Sequence, residues 1–223
     1  MEPIYVDKID TIKKNIQKYS KHSENVKLIG VTKTFPIDVM LNGIDSGLDT
    51  IGENKIQDAI SKFEKESFPG IERHYIGKLQ SNKVKKVVEN FDYVHSLDRE
   101  KIVRKIDNLE TKIKCLIEVN TSGEENKGGV EPAELEKFIL QIQKYKNIQI
   151  IGLMTISPLT KDENKIRNSF KQLKELAEFN KKNETENIKF DKLSMGMTND
   201  YKIALEEGAT MIRIGRGIFG ERK

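Results

Sequence analysis

Lys33 stands directly after Leu28-Ile29-Gly30-Val31-Thr32, a run with almost no polar interruption. A lysine held at the end of an apolar strand loses hydration, and burial of that kind leaves more free amine to attack a carbonyl. The same position also suits a lysine whose stem lies along the rim while its ammonium reaches water. A second group is Ser194-Met195-Gly196-Met197-Thr198, and a third is Arg213-Ile214-Gly215-Arg216-Gly217. Hydroxyls beside glycines let backbone N–H groups approach an anion closely, as phosphate-binding loops do. Thr198 and Asn199 equally suit the N-cap of a helix running to about residue 207. An amine and an anion cradle on one rim suggest a phosphorylated aldehyde or ketone as ligand.

The elements that must position these groups alternate along the chain. A first helix carries Ile9, Ile12, Ile16 and Tyr19 on one face. Strands are expected at 27–32, 49–52, 73–76, 93–95, 112–120, 148–155, 192–194 and 210–214, with a helix after each but the last. Pro36 and Pro132 sit where helices should begin, and a further helix is expected from about 55 to 65. Leu135, Phe138, Ile139 and Ile142 share one helix face, as do Ile166, Phe170 and Leu173. Eight strand–helix units in 223 residues favour a closed α/β barrel with an extra N-terminal helix over an open doubly wound sheet. No domain boundary stands out, so residues 1–223 read as one unit, with 181–187 a loop inside it. In such a barrel the C-terminal strand ends carry function, and Lys33, Gly52-Glu53-Asn54, Gly77-Lys78, Asn120, Ser194 and Arg213 all gather there.

Composition narrows the function classes. Hydrophobic residues make up 36% and charged residues 33%, a globular balance with a heavily charged surface. The net charge of +4 comes from interleaved signs, which argues against a nucleic-acid partner. Lys83-Val84-Lys85-Lys86-Val87-Val88 reads as a helix with a solvated basic face. The single Cys115, within an apolar run, allows no disulfide in the chain and no cysteine metal site, and it reads as a small buried hydrophobe. No metal is expected. The N-terminus lacks a secretory pattern and no apolar run is long enough to span a bilayer, so the expectation is a cytoplasmic protein with no membrane partner.

The segments Gly30-Val31-Thr32-Lys33, Gly52-Glu53-Asn54, His74-Tyr75-Ile76-Gly77, Leu79-Gln80-Ser81-Asn82-Lys83, Asn120 with Ser122-Gly123-Glu124, Gly152-Leu153-Met154, Leu193 through Thr198 and Arg213 through Gly220 occur in that order. Together they resemble the pyridoxal phosphate homeostasis protein family, whose members are similar to the N-terminal barrel of alanine racemase. The match runs from about residue 27 to the C-terminus. It implies a (β/α)8 barrel of the fold-type III kind without the second β domain, with pyridoxal 5′-phosphate as cofactor. By the same resemblance, Lys33 holds the cofactor aldehyde as a Schiff base. Ser194, Met195, Gly196 and Thr198, with the backbone amides of Gly215 and Arg216, belong to the phosphate site, and Arg213 meets the pyridine nitrogen. Asn54 and His74 line the cofactor; His74 reads equally well as a satisfied strand histidine. Thr198 stands where the family often has serine, and either supplies a hydroxyl.

The resemblance implies a protein that stores or delivers pyridoxal phosphate, with apo-enzymes as partners, a monomer or weak dimer, and no turnover. Racemisation needs acid–base groups on both faces of the substrate, and an opposing base is not evident in a chain that ends soon after the eighth strand. The alternatives are a racemase-like pyridoxal enzyme and an aldolase barrel using Lys33 on a sugar phosphate. Lys78 and Lys127, on loops expected to face the mouth, are secondary amines or solvated surface.

Overall fold

The computed structural model describes residues 4–124 and 127–221; residues 1–3, 125–126 and 222–223 of the expected 1–223 unit lie outside the described residues. Eight parallel strands close into a barrel in sequence order: β1 Lys27–Val31, β2 Thr50–Glu53, β3 Glu72–Tyr75, β4 Tyr93–Leu97, β5 Lys114–Glu118, β6 Gln149–Met154, β7 Ile188–Ser194 and β8 Met211–Ile214. The connecting helices are α2 Ile37–Asp45, α3 Ile56–Phe63, α4 Val84–Asn90, α5 Glu100–Asp107, α6 Leu135–Ile142, α7 Glu163–Asn180 and α8 Tyr201–Glu206. The extra N-terminal helix, α1 Val6–Tyr19, buries Ile9, Ile12 and Ile16 and packs against α8. All eight expected strands are present. β7 starts four residues earlier than expected, and the last strand is followed after all by a helical turn, α9 Arg216–Phe219.

Strand parity divides the side chains between two environments. Outward residues such as Val94, Cys115, Ile117, Ile150, Leu153 and Ile212 join the helices in one large core. Inward residues Ile29, Val31, Tyr93, Leu116, Met154 and Met211 form a smaller cluster on the barrel axis. Cys115 is fully buried and burial pushes its thiol pKa up, so it acts as a small hydrophobe. Helix starts follow local chemistry: Asp162 accepts hydrogen bonds from the N–H groups of Asn164 and Lys165 at the head of α7, and Pro36 stands immediately before the first residue of α2. In α4, Val84 and Val87 are buried while Lys85 and Lys86 face solvent. No helix among the described residues is long and apolar enough to cross a membrane.

Candidate functional site

Lys33 leaves β1 inside a tight turn, which the Phe35 N–H closes by donating to the Thr32 carbonyl at 3.1 Å. The next residue, Thr34, has φ 68°, a left-handed conformation that costs a non-glycine residue about 1–2 kcal/mol. Such strain persists where surroundings over-determine the backbone, and Thr32 is anchored from several sides. Its hydroxyl donates to Glu53 Oε1 at 2.8 Å, and the Lys62 ammonium donates to the Thr32 carbonyl at 3.0 Å and to Glu53 Oε1 at 2.6 Å. Glu53 and Lys62 are almost fully buried between the barrel wall and α3. Burial pushes the Glu53 carboxyl above its ordinary range, and the Lys62 ammonium partly offsets this.

Arg213 lies on the inward face of β8, paired in register with Ile29 of β1, and is only 5% exposed. Its Nη1 donates to Ser194 Oγ at 2.6 Å and its Nη2 to the Thr155 carbonyl at 2.9 Å. Burial pulls its pKa down to about 10, so the guanidinium remains charged at neutral pH. Ser194 ends β7 with its side chain toward the axis, where Oγ also lies 2.9 Å from His95 Nδ1. Its hydroxyl, which the resemblance assigns to the phosphate, meets Arg213 and His95 in this structure. Met195 has the opposite parity and is fully buried in the outer core, so only its backbone borders the site. His74 is fully buried as well. Its ring stacks on Tyr93 at 4.0 Å and its Nδ1 lies 2.8 Å from His95 Nε2, below the mouth rather than on it.

The loops after β7 and β8 meet each other. Thr198 Oγ1 accepts the Gly217 N–H at 3.1 Å, while Gly215 and Arg216 head the helical turn α9, where the first N–H groups of a helix lack intrahelical acceptors. A side chain at Gly215 would come within 3.3 Å of the Val31 carbonyl, so this loop presses against the strand that delivers Lys33. Gly196 has φ 91°, and a Cβ there would sit 2.6 Å from Ala204 Cβ, so α8 can approach only a glycine. The expected cap is corrected here: Asp200 takes the N-cap position of α8, and its carboxylate accepts the N–H of Met197 in the preceding loop rather than one of the helix. Thr198 is thereby released to hold the neighbouring loop.

On the other side of β1, Asn54 follows β2, and its Oδ1 is buried with no hydrogen-bond partner among the described residues. A Cβ at Gly77 would collide with the Asn54 carbonyl, so that glycine lets the β3 loop close over it. Lys33, Asn54 and Arg213 thus come from three neighbouring strands, β8-β1-β2. Across the barrel, Glu118 ends β5 with inward parity above Leu116. Burial and the Asp98 charge push its carboxyl up, against the pull of Arg213 and Lys78. Lys78 is exposed, and Lys127 donates to Glu124 and to the Ser157 carbonyl on the rim. No cluster of three metal-ligating side chains occurs among the described residues.

Sequence reasoning overlooked His95, Glu118, Thr155 and the Glu53–Lys62 pair. The available signal was parity. Glu72 and His74 on β3, like His95 on β4 and Glu118 on β5, put polar groups at positions that a packed barrel interior fills with branched apolar residues.

A family model described as "Alanine racemase, N-terminal domain" matches residues 8–223. A pyridoxal phosphate homeostasis protein of Aquifex aeolicus is 37% identical over 96% of this chain and 95% of its own length. Its counterpart in Schizosaccharomyces pombe is 36% identical over 96% of this chain and 91% of its own. The structure of PipY from Synechococcus elongatus with PLP bound superposes with a TM-score of 0.85 at 30% identity, covering 97% of this chain and all of that one. An alanine racemase of Clostridium difficile shares the fold (TM-score 0.76, 15% identity), with 97% of this chain covering 60% of that one. With a closed eight-stranded barrel and the first two relatives matched over more than nine-tenths of their own length, this chain belongs to the pyridoxal phosphate homeostasis proteins of the alanine racemase N-terminal-domain family.

Proposed function

We propose that this protein binds pyridoxal 5′-phosphate on Lys33 and serves cytoplasmic pyridoxal phosphate homeostasis by storing or delivering the cofactor to apo-enzymes, without turnover of its own. The observation that carries this reading is the buried Arg213 guanidinium, fixed by Ser194 and Thr155, on the strand beside the one that delivers Lys33. Relatives are named pyridoxal phosphate homeostasis proteins, and PipY has been solved with PLP bound. The donor set also fits. The orphaned Asn54 Oδ1, the N–H groups heading α9 and the Thr198 hydroxyl offer polar partners on the loops flanking the strand that delivers Lys33.

Bound pyridoxal phosphate supplies an electrophilic aldehyde and a conjugated ring that withdraws electrons. In this reading Lys33 would hold the cofactor by its aldehyde. Gly215, Arg216 and Thr198 would hold the phosphate, and Ser194 would orient the Arg213 guanidinium that faces the ring. A guanidinium can only donate, so Arg213 at the ring nitrogen would leave that nitrogen unprotonated and electron withdrawal muted. That favours holding over turnover. Reconstituted protein should be yellow, and borohydride should change its spectrum and fix the label on Lys33 by peptide mass. Lys33→Ala should lose the visible band. A colourless wild type after incubation with pyridoxal phosphate would overturn the reading.

One observation keeps racemisation as the second reading. Glu118 stands four strands from β1 on an eight-stranded ring, so its carboxyl lies across the mouth from Lys33. Interconversion of D- and L-amino acids that disappears in both Lys33→Ala and Glu118→Gln would replace the carrier reading with this one.

A further inference from the structure

The barrel axis carries a continuous polar chain. Arg213 Nη1 meets Ser194 Oγ at 2.6 Å, Ser194 Oγ meets His95 Nδ1 at 2.9 Å, and His95 Nε2 meets His74 Nδ1 at 2.8 Å. His74 Nε2 then lies 3.4 Å from Glu72 Oε2 at the base of β3, where Glu72 also pairs with Lys27. Both histidines and Ser194 are essentially inaccessible to water. Glu72 reaches solvent through a cavity of about 480 Å³ at the base, lined by Asp92, Tyr93, Lys112 and Lys114. The chain therefore runs from the wet base of the barrel to the guanidinium at its mouth.

Both ends dictate the proton positions. Arg213 can only donate, and ionised Glu72 can only accept. Glu72 as acceptor requires the proton of His74 on Nε2, which leaves His74 Nδ1 as an acceptor. His95 must then carry its proton on Nε2 and accept at Nδ1. The remaining donor is the Ser194 hydroxyl, whose free lone pair takes the Arg213 N–H. With both imidazoles neutral, as their burial favours, every bond points from Arg213 toward Glu72. Aligned bonds of this kind polarise one another.

We propose that Ser194, His95 and His74 form a one-way hydrogen-bonded strut through which Glu72 fixes the Arg213 guanidinium. Glu72, His74, His95 and Ser194 are then positioning residues for the cofactor. The strut rests on the reading of Arg213 as the partner of the pyridine nitrogen, but its tautomers are set in the protein alone. The stacked Tyr93 ring and the Thr155 carbonyl brace it from the side.

Long-range ¹⁵N–¹H spectra of the cofactor-free protein at neutral pH test the strut without any ligand. His74 and His95 should both show the Nε2–H tautomer. Glu72→Leu, which removes the terminal acceptor, should leave them mixed, and Glu72→Gln, which keeps an acceptor oxygen, should restore the pattern. Titration with pyridoxal phosphate then reads the mouth. Glu72→Leu and Ser194→Ala should each raise Kd about tenfold and move the visible band, with Ser194→Thr and Glu72→Gln restoring both. An Nδ1–H tautomer at either histidine of the wild type overturns the strut. So does a Glu72→Leu protein with wild-type Kd and spectrum. If wild type shows the expected tautomers but binds no pyridoxal phosphate, the functional reading fails and the strut as a cofactor device fails with it; Nδ1–H tautomers in a wild type that does bind the cofactor remove the strut alone.

Discussion

At the scale of single residues, the site depends on how few freedoms its charged groups retain. Arg213 has two of its donor atoms committed, to Ser194 and to the Thr155 carbonyl, and sits in a medium poor enough in water to pull its pKa to about 10. A lysine there would keep the charge but lose the planar fork, since an ammonium cannot serve two fixed acceptors and a ring nitrogen in one plane. Arg213→Lys should therefore weaken pyridoxal phosphate binding about tenfold, roughly the loss of one charge-assisted hydrogen bond. Fluorescence titration would read it. Wild-type affinity in this variant would mean that the guanidinium does not face the ring.

At the scale of elements, the turn that presents Lys33 is held by a pair on the far side of the barrel wall. Lys62 on α3 and Glu53 on β2 meet at 2.6 Å out of water, and both reach Thr32. Removing one partner of a buried pair strands the other, at a cost of about 3–5 kcal/mol, whereas removing both can be nearly neutral. Lys62→Met should thus lower stability by about 3 kcal/mol in urea unfolding, and the double variant with Glu53→Leu should recover most of that loss. If the two substitutions simply add, the pair contributes nothing as a pair. The strained Thr34 stands two residues beyond Thr32, whose carbonyl accepts both the Phe35 N–H and the Lys62 ammonium. Glycines act at the same scale. Gly196 and Gly77 allow α8 and the β3 loop to close where any side chain would hold them apart.

At the scale of the whole molecule, the polar axis makes the fold sensitive to acid. Glu72 is held at about 2, against an ordinary value of 4.5, chiefly by its hydrogen bond with His74. Its contribution is complete above pH 4.5 and is lost as pH falls toward 2, where the folded carboxylate takes up its proton. The two histidines act in the same direction but earlier. Burial keeps them neutral in the fold, so below the ordinary value of 6.5 the unfolded chain binds protons that the folded chain does not. Stability should decline from about pH 6.5 downward, measured by thermal unfolding across pH. His95→Gln should flatten the first part of that decline. An acid limb unchanged by this substitution would mean that His95 is not held neutral.

The sequence by itself determined the ring of strands. Runs of β-branched residues alternate with helical periodicity, and eight such units in 223 residues favour a ring closed under a shell of helices over an open sheet. The strand-end positions of Lys33, Asn54, Thr198, Gly215 and Arg213 were legible for the same reason, because parallel strands deliver all their C-termini to one rim. The last helical turn was not, since its four residues are too few to show a period. Tertiary structure alone decided how the site's polar groups pair. Ser194 pairs with Arg213, Met195 lies in the outer core, and His74 joins a buried chain through His95, a residue from a different strand. Local sequence carries strand parity but not the register that sets β3, β4, β7 and β8 around a common axis. Hydrogen bonds between inward side chains exist only once that ring is closed.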